Sequence, residues 1–203
     1  MQKIAISLRI VPGDWLSPLP LDTLFAAGND GQRRPLEVDV GCGKGRFLLA
    51  RAAEQRGTDF LGVDRMLRRI RKVDNKARRL GLGNIRLLRM EAYYAVAYLI
   101  PPSAVTTYYI FFPDPWPKKR HHEHRLFNPR FLDALHRTLV PGGQVHFSTD
   151  HLPYFEEVKA VLVADRRFAE IPPFEPGEEE RTDFERYYVS RTPIGRLSLR
   201  KAS

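Results

Sequence analysis

The sequence predicts an α/β fold built on a mostly parallel β-sheet. From Pro35 onwards, short apolar runs alternate with longer segments of helical periodicity, and this alternation is typical of βαβ units. The 203 residues, of which 43% are hydrophobic, are enough for one core and short for two. The single cysteine, Cys42, cannot form an internal disulfide or a zinc site by itself, so burial of apolar surface must hold the domain together.

Two strands and two helices are predicted in the first part of the chain. Residues 1–34 contain three prolines and a polar stretch, so we expect an irregular N-terminal leader there, followed by one domain over residues 35–203. The domain begins with strand Leu36–Val40, helix Arg46–Gln55, strand Phe60–Val63 and helix Met66–Leu80. In the second helix, apolar residues recur every three or four positions from Met66, so one face packs on the sheet while the arginines and lysines point elsewhere.

The second part continues the alternation until a proline-rich segment interrupts it. We expect strand Ile85–Leu88, helix Ala92–Leu99 and the apolar strand Val105–Phe112, followed by a basic loop over Pro113–Arg125. Beyond the loop, the pattern predicts a helix from Pro129 to about Leu139 capped by Asn128, strand Val145–Ser148, helix Pro153–Ala164 and a last strand Ile194–Leu199.

The formal net charge of +9 favours a polyanionic partner, either nucleic acid or an anionic membrane. The basic residues recur in two segments with folded neighbours, Arg65–Arg79 and Lys118–Arg125, which indicates a binding face on a folded domain. For the first segment, solvation of an exposed helix is an equal alternative. The sequence has no signal peptide and no run of about 18 apolar residues, so we expect a cytoplasmic protein that does not bind membranes.

The turn between the first strand and the first helix has the composition of a cofactor-binding loop. It contains Gly41, Gly43 and Gly45, which permit a tight turn and the close approach of a ligand. The spacing is G-x-G-x-G, not the G-x-G-x-x-G of pyrophosphate-binding folds, and this disfavours an NAD-dependent oxidoreductase. Asp39, two residues before the first glycine, suits a cationic amino-acid group better than a pyrophosphate.

Two further acids follow the next two predicted strands. Asp64 ends the second strand, where a carboxylate can accept hydrogen bonds from both hydroxyls of a ribose. After the third strand, the Ala92 N–H and the Glu91 carboxylate could bind the edge of adenine, although an acid there could equally serve the helix N-terminus. Each signal also occurs without a ligand, but together, on successive strand ends, they favour an adenosine cofactor.

The most informative segment, FFPDPWPKKRHH over Phe111–His122, follows the fourth strand, where open α/β sheets bind their ligands. Its three prolines stiffen the backbone around Asp114 and Trp116. Trp116 could stack on a base, and Asp114 could accept from the N1–H and amino group of guanine. Phosphates are expected to bind Lys118, Lys119 and Arg120, and the histidines, including His121, are expected to contact RNA or solvent, not metal. Alternatively, Trp116 fills the core and the basic run is a solvated loop.

Four motifs together resemble the bacterial tRNA (guanine-N7)-methyltransferases, which methylate guanine 46 of the variable loop. They are the glycine loop, PDPWPKKRHH over residues 113–122, Ser148-Thr149-Asp150 and Thr182-Asp183-Phe184-Glu185. The resemblance spans about residues 36–199. It implies a class I, Rossmann-like methyltransferase fold with helices on both faces of a seven-stranded, mostly parallel sheet whose last strand is antiparallel. It also implies S-adenosyl-L-methionine as cofactor, S-adenosyl-L-homocysteine as product and tRNA as partner, and no metal is expected.

The resemblance assigns roles to individual residues. Cofactor contacts are implied for Asp39, Asp64, Glu91 and Asp114, and substrate contacts for Lys118, Asp150, Thr182, Asp183, Phe184 and Glu185. Asp114 is the expected catalytic residue. The family often has glutamate where this chain has Asp39 and Asp64, and aspartate where it has Glu91, so the charge is kept. Thr182 and Glu185 also have the spacing of a capping box for a short helix, and both roles can hold together.

The chemistry of guanine N7 explains why no nucleophile–base arrangement is expected. N7 carries a free lone pair, so no proton has to leave before methyl transfer, and in-line positioning with nearby carboxylates is sufficient. Two alternatives remain: an exocyclic-amine methyltransferase of RNA or DNA, whose motif resembles Pro113–Trp116, and a non-catalytic RNA-binding module that retains the glycine loop. We expect the protein to be a monomer or a homodimer.

Overall fold

The computed structural model describes residues 7–28, 31–188 and 192–202, and only the backbone of Lys119 and Tyr188. The strands are β1 Arg9–Ile10, β2 Leu36–Val40, β3 Asp59–Val63, β4 Ile85–Leu88, β5 Val105–Phe111, β6 Leu139–Thr149, β7 Phe168–Ile171 and β8 Gly195–Lys201. The helices are α1 Leu21–Leu24, α2 Arg46–Glu54, α3 Leu67–Arg79, α4 Ala92–Tyr94, α5 Pro129–Thr138, α6 Leu152–Ala164 and α7 Asp183–Tyr188. A π-helical turn, Ala95–Leu99, continues α4, and a 3-10 helix covers Lys119–His124.

The strands form one eight-stranded sheet in the order β1-β4-β3-β2-β5-β6-β8-β7. The pairs from β1 to β6 are parallel, whereas β8 runs antiparallel to both β6 and β7. Strands β2–β8 therefore confirm the predicted mostly parallel sheet with an antiparallel last strand. The eighth strand, β1, extends the sheet by two residues at its edge, where Arg9 and Ile10 pair with β4.

Helices cover both faces of the sheet, as predicted, and each face has its own cluster of buried side chains. One cluster contains Val38 of β2 together with side chains of α5 and α6. The other contains Leu48 of α2 and Val73 of α3. Successive residues of a strand point to opposite faces, so Asp39 lies on the face opposite to Val38.

The amphipathic helix α3 largely confirms the predicted apolar stripe. Ile70, Val73 and Ala77 are buried, whereas Met66 and Leu80 are exposed because they cap the two ends of the helix. The basic side chains of α3 lie mainly on its outer face. No helix in the described ranges, α3 included, has the length and apolar composition needed to cross a membrane.

The second half of the chain differs from the predicted pattern in three places. The predicted loop Pro113–Arg125 contains the 3-10 helix. Strand β6 begins earlier than expected, at Leu139, because residues 140–143 bulge between two paired segments of the same strand. Strand β7 was not predicted; it has only four residues and is defined by its pairing with β8.

The first 34 residues, predicted to be irregular, contain the short elements β1 and α1. The side chains of Ile10, Leu19 and Leu21 are buried in the core. The backbone N–H of Leu19 donates a 2.8 Å hydrogen bond to the carbonyl of Leu99. This part of the chain therefore packs on the domain that follows it.

The strand order brings the predicted site residues to one edge of the sheet. The chain runs from β2 to β3 and β4 on one side and then crosses to β5 and β6 on the other, so the order reverses between β2 and β5. Open α/β sheets bind ligands at the carboxyl ends of their strands beside such a reversal. Asp39 lies near this end of β2, and Asp64, Glu91 and Asp114 follow β3, β4 and β5.

Candidate active site

The glycine loop connects β2 to α2 at the carboxyl edge of the sheet. Gly41, Gly43 and Gly45 all have positive φ, between 55° and 85°. At Gly45, a Cβ atom would lie 2.6 Å from a methyl group of Val73, so glycine is needed for α2 to pack on α3. At Gly41, a Cβ would meet nothing within 4 Å, which leaves the backbone of the loop open to a ligand.

Two buried carboxylates, Asp39 and Asp64, lie below this loop and are only 5% and 4% exposed. Burial, and to a lesser extent the neighbouring charge of Asp64, raises the pKa of Asp39 to about 8. A cationic ligand beside these carboxylates would favour the ionised form of Asp39. The two carboxylates therefore fit a cofactor with ammonium and sulfonium groups and would repel a pyrophosphate.

The carboxylate of Asp64 already accepts several hydrogen bonds. Oδ1 accepts from the Met66 N–H at 2.7 Å, and Oδ2 accepts from the Gly43 N–H at 3.1 Å and from Arg69 at 3.3 Å. Each carboxylate oxygen accepts about two hydrogen bonds, so one position remains on Oδ1. A ribose that engaged both oxygens would have to displace the half-exposed side chain of Arg69.

Glu91 acts as the N-cap of α4. Its two carboxylate oxygens accept from the N–H groups of Tyr93 and Tyr94, both at 2.9 Å. The helix-terminus interpretation of Glu91 is therefore correct. The carboxylate is exposed and retains lone pairs, so adenine binding by Glu91 and Ala92 stays a prediction.

The Pro113–Pro117 loop starts two residues after β5 ends. Asp114 is exposed, and its Oδ1 accepts a 3.0 Å hydrogen bond from the Trp116 N–H. Trp116 has a left-handed φ of 43°, which is strained for an aromatic residue. Its half-buried ring belongs to neither core cluster and instead packs against His121 and His124, with centroids 5.7 and 5.0 Å away. The core-filling alternative for Trp116 is thus wrong.

The basic residues after this loop differ in exposure. Lys118 and Arg120 are exposed, and Arg120 donates to the ring of His121 at 3.3 Å. The side chain of Lys119 lies outside the described part of the structure. Among the described residues, no group of three or more histidine, cysteine, aspartate or glutamate side chains is placed to hold a metal ion.

The predicted substrate residues Asp150 and Thr182–Glu185 lie at the same carboxyl edge of the sheet. Asp150 follows β6, and Thr182 accepts from the Glu185 N–H at 3.0 Å, which caps α7. The carboxylate of Glu185 does not reach back to complete a capping box. It is fully buried and pairs with Arg196 of β8, so the exposed side chains of this motif are Asp183 and Phe184. The Phe184 ring lies 4.9 Å from that of Phe112, so α7 packs beside the start of the proline-rich loop.

Two ion pairs that the sequence did not predict connect α2, which follows the glycine loop, to the segment before α7. Arg46 and Arg51 of α2 pair with Glu179 and Glu180, at 3.1 and 3.3 Å. These glutamates lie two and three residues before Thr182. The acidic run 178–180 was the available signal, because its charge complements the arginines of the predicted helix.

The chain is similar to known proteins in both sequence and fold. A family model described as a putative methyltransferase matches residues 33–189. A tRNA (guanine-N(7)-)-methyltransferase of Halorhodospira halophila is 39% identical over 83% of this chain and 73% of its own length. A protein of the same name from Nitrosococcus oceani is 41% identical over 71% of this chain and 59% of its own length. A SAM-dependent methyltransferase structure from Aquifex aeolicus has a TM-score of 0.59 at 16% identity, covering 83% of this chain and 82% of that one.

Proposed function

This chain belongs to the tRNA (guanine-N7)-methyltransferase family, and we propose that it transfers a methyl group from S-adenosyl-L-methionine to N7 of guanine 46 in the variable loop of tRNA. The observation that carries the proposal is the arrangement of the carboxyl edge. There, the open glycine loop and two buried carboxylates lie beside an exposed Asp114 and a basic, aromatic surface.

The cofactor is proposed to bind over the ends of β2, β3 and β4. Asp39 and Asp64 would provide negative charge, and the backbone of Gly41, Gly43 and Gly45 would allow close approach. Glu91, Ala92 and Asp114 complete the proposed cofactor contacts. When bound, the cofactor supplies an activated methyl group on a sulfonium.

The tRNA is proposed to bind between the proline-rich loop and the segment before β8. Trp116 would stack on a base, and the phosphates would meet Lys118, Lys119, Arg120 and His121. Asp150 and the Thr182–Glu185 motif would form the opposite side of the tRNA site. The buried Glu185 would contribute indirectly, because its ion pair with Arg196 holds α7 in place. Asp114 has an exposed carboxylate that could accept from the N1–H and amino group of guanine.

For this reaction the protein has to orient the two reactants and stabilise the charge that develops. Because N7 has a free lone pair, no residue has to remove a proton, and positive charge develops on the guanine as the methyl group arrives. The carboxylate of Asp114 would stabilise that charge. In-line orientation of the two reactants can contribute up to about 7–11 kcal/mol to lowering the barrier.

Incubation with methyl-labelled cofactor and bulk tRNA, followed by nucleoside analysis, tests the proposal. The expected product is 7-methylguanosine, which should disappear when position 46 of the tRNA is changed from guanine. A methyl group on an adenine or cytosine amine would instead identify an exocyclic-amine methyltransferase. Calorimetry that detects tRNA binding but no cofactor binding would identify a non-catalytic RNA-binding module. We further propose that the protein acts in the cytoplasm as a monomer or a homodimer.

A further inference from the structure

Arg125 differs from the basic residues that precede it because its side chain points inwards. It follows the 3-10 helix, and it is only 8% exposed, whereas Lys118 and Arg120 are exposed. A buried guanidinium needs partners for its charge and its N–H groups. The partners of Arg125 lie within the protein.

Those partners come from two separate parts of the chain. Nε donates to the carbonyl of Pro115 at 2.9 Å, and Nη2 makes a longer contact, 3.5 Å, with the carbonyl of Trp116. From the other side, Nη1 pairs with the Glu157 carboxylate of α6. The guanidinium also lies 5.0 Å from the ring centroid of Tyr154, a buried residue of the same helix.

The contacted carbonyls belong to the loop that presents Asp114. Pro115 and Pro117 have no N–H, and this loop lies outside the strand ladders, so its backbone has few partners of its own. Both backbone polar groups of Trp116 have a partner: its N–H donates to Oδ1 of Asp114, and its carbonyl contacts Arg125. A strained φ such as that of Trp116 persists only where surrounding contacts enforce it.

We propose that Arg125 is a positioning residue for the methyl-transfer site and does not contact tRNA. It connects α6 to the carbonyls of Pro115 and Trp116, and through them it fixes the directions of the Asp114 carboxylate and the Trp116 ring. The effect on catalysis rests on the function proposed above. The effect on the loop does not.

The geometry explains why arginine is required at this position. The planar guanidinium directs N–H groups along several fixed directions, so it can bind two carbonyls and a carboxylate at once. A lysine ammonium would retain the charge near Glu157 but is a compact donor on a flexible stem. Arg125→Lys should therefore keep the fold and loosen the loop.

The test compares Arg125→Gln with Arg120→Gln, the same change of charge at a buried and at an exposed arginine. For Arg125→Gln, the single-turnover rate at saturating tRNA should fall about 10- to 100-fold, as expected for a small misplacement of reacting groups. Its tRNA affinity should depend on salt as in the wild type. For Arg120→Gln, the slope of the logarithm of the tRNA-binding constant against the logarithm of salt concentration should flatten by about one unit if the side chain binds one phosphate. A rate control comes from Arg56→Gln, the same change at an exposed arginine that precedes β3 at the opposite edge of the sheet; its rate at saturation should stay within about threefold of the wild type.

Either of two results would overturn the proposal. A flattened salt slope in Arg125→Gln would make Arg125 a phosphate contact, and a normal rate at saturation would remove it from positioning. If Arg125→Gln fails to fold, as judged by thermal unfolding, Arg125→Lys decides by the rate at saturation alone, because lysine keeps the charge and would leave the salt dependence unchanged in either case. Glu157→Gln should also lower the single-turnover rate. The rate of the double variant should fall by less than the product of the two single-variant factors, because both changes break the same contact.

Fluorescence tests the loop without tRNA. The chain has two tryptophans, so a Trp15→Phe background isolates Trp116. Acrylamide should quench Trp116 more strongly in Arg125→Lys than in the parent, and equal quenching would refute the positioning role. If the enzyme methylates no tRNA while quenching rises as expected, the proposed function fails and the role of Arg125 in the loop stands.

Discussion

Replacing Asp39 with asparagine should stabilise the free protein increasingly as pH rises. Burial and the charge of Asp64 raise the pKa of Asp39 from 3.8 to about 8 in the folded state. Between these values the folded protein holds a proton that the unfolded chain releases. The free energy of unfolding of the wild type therefore falls as pH rises through this window and levels off above about pH 8. Asparagine carries no charge, so the variant lacks this loss.

The size of the effect follows from the same pKa. At about 1.4 kcal/mol for each pH unit, the rise from 3.8 to about 8 corresponds to roughly 5–6 kcal/mol. Urea unfolding of the wild type and Asp39→Asn at about pH 5, 7 and 9 measures it. The advantage of the variant should widen by about 4 kcal/mol between the lowest and the highest pH. An advantage that stays constant would show that Asp39 titrates alike in both states and would refute the reasoning.

The same carboxyl should connect cofactor binding to proton release. A cationic cofactor favours the ionised form of Asp39, so binding near neutral pH should release up to about one proton. Calorimetry in two buffers of different ionisation enthalpy measures this number, and Asp39→Asn should abolish it. The homocysteine product keeps the ammonium and lacks the sulfonium, so comparing the two ligands tells which cation acts on Asp39. Binding without proton release in any buffer would contradict the prediction.

Three further predictions address other parts of the site. Asp114→Asn should lower kcat far more than it lowers tRNA affinity, and a near-normal single-turnover rate in the variant would remove Asp114 from the chemistry. The wild-type pH–rate profile should lack a catalytic-base limb near neutral pH. Lys119→Ala and Arg120→Ala should each flatten the salt dependence of tRNA binding by about one unit; if neither does, the RNA surface lies elsewhere, and α3 is the next candidate. Gly45→Ala should destabilise the protein by about 1–3 kcal/mol more than Gly81→Ala in urea unfolding. Both glycines have positive φ, but only at Gly45 would a Cβ clash with Val73. Equal losses of stability would show that the clash relaxes.

The sequence was sufficient to predict the elements whose signals are local. The alternation of strands and helices, the stripe around Val73 and the cap at Asn128 each depend on neighbours a few residues away, and the structure has them. Strand β7 carries no such signal, because its four residues become a strand only by pairing with β8. The bulge in β6 likewise depends on how Leu139 and Gln144 pair with β5.

For the site, residue type and position along the chain could be predicted, but side-chain direction could not. The sequence places Glu185 in a substrate motif and Arg125 at the end of a basic run, and in the structure both side chains point inwards to partners on other elements. The sequence alone does not decide between two roles for Glu91, because an acid after a strand can bind a ligand or cap a helix. Only the distances to Tyr93 and Tyr94 identify the cap.

The position of β8 between β6 and β7 determines when the site can be completed during synthesis. The ribosome delivers Asp39, Asp64 and Asp114 first, and until residues 195–201 emerge, β6 remains an unpaired edge. Such an edge is a template for pairing with other chains. The same strand brings Arg196, the partner of Glu185, so the proposed substrate-binding motif becomes complete when the edge of β6 is covered. A nascent chain interrupted after α7 would therefore lack the partner of Glu185 and would expose β6 as an edge for association with other chains.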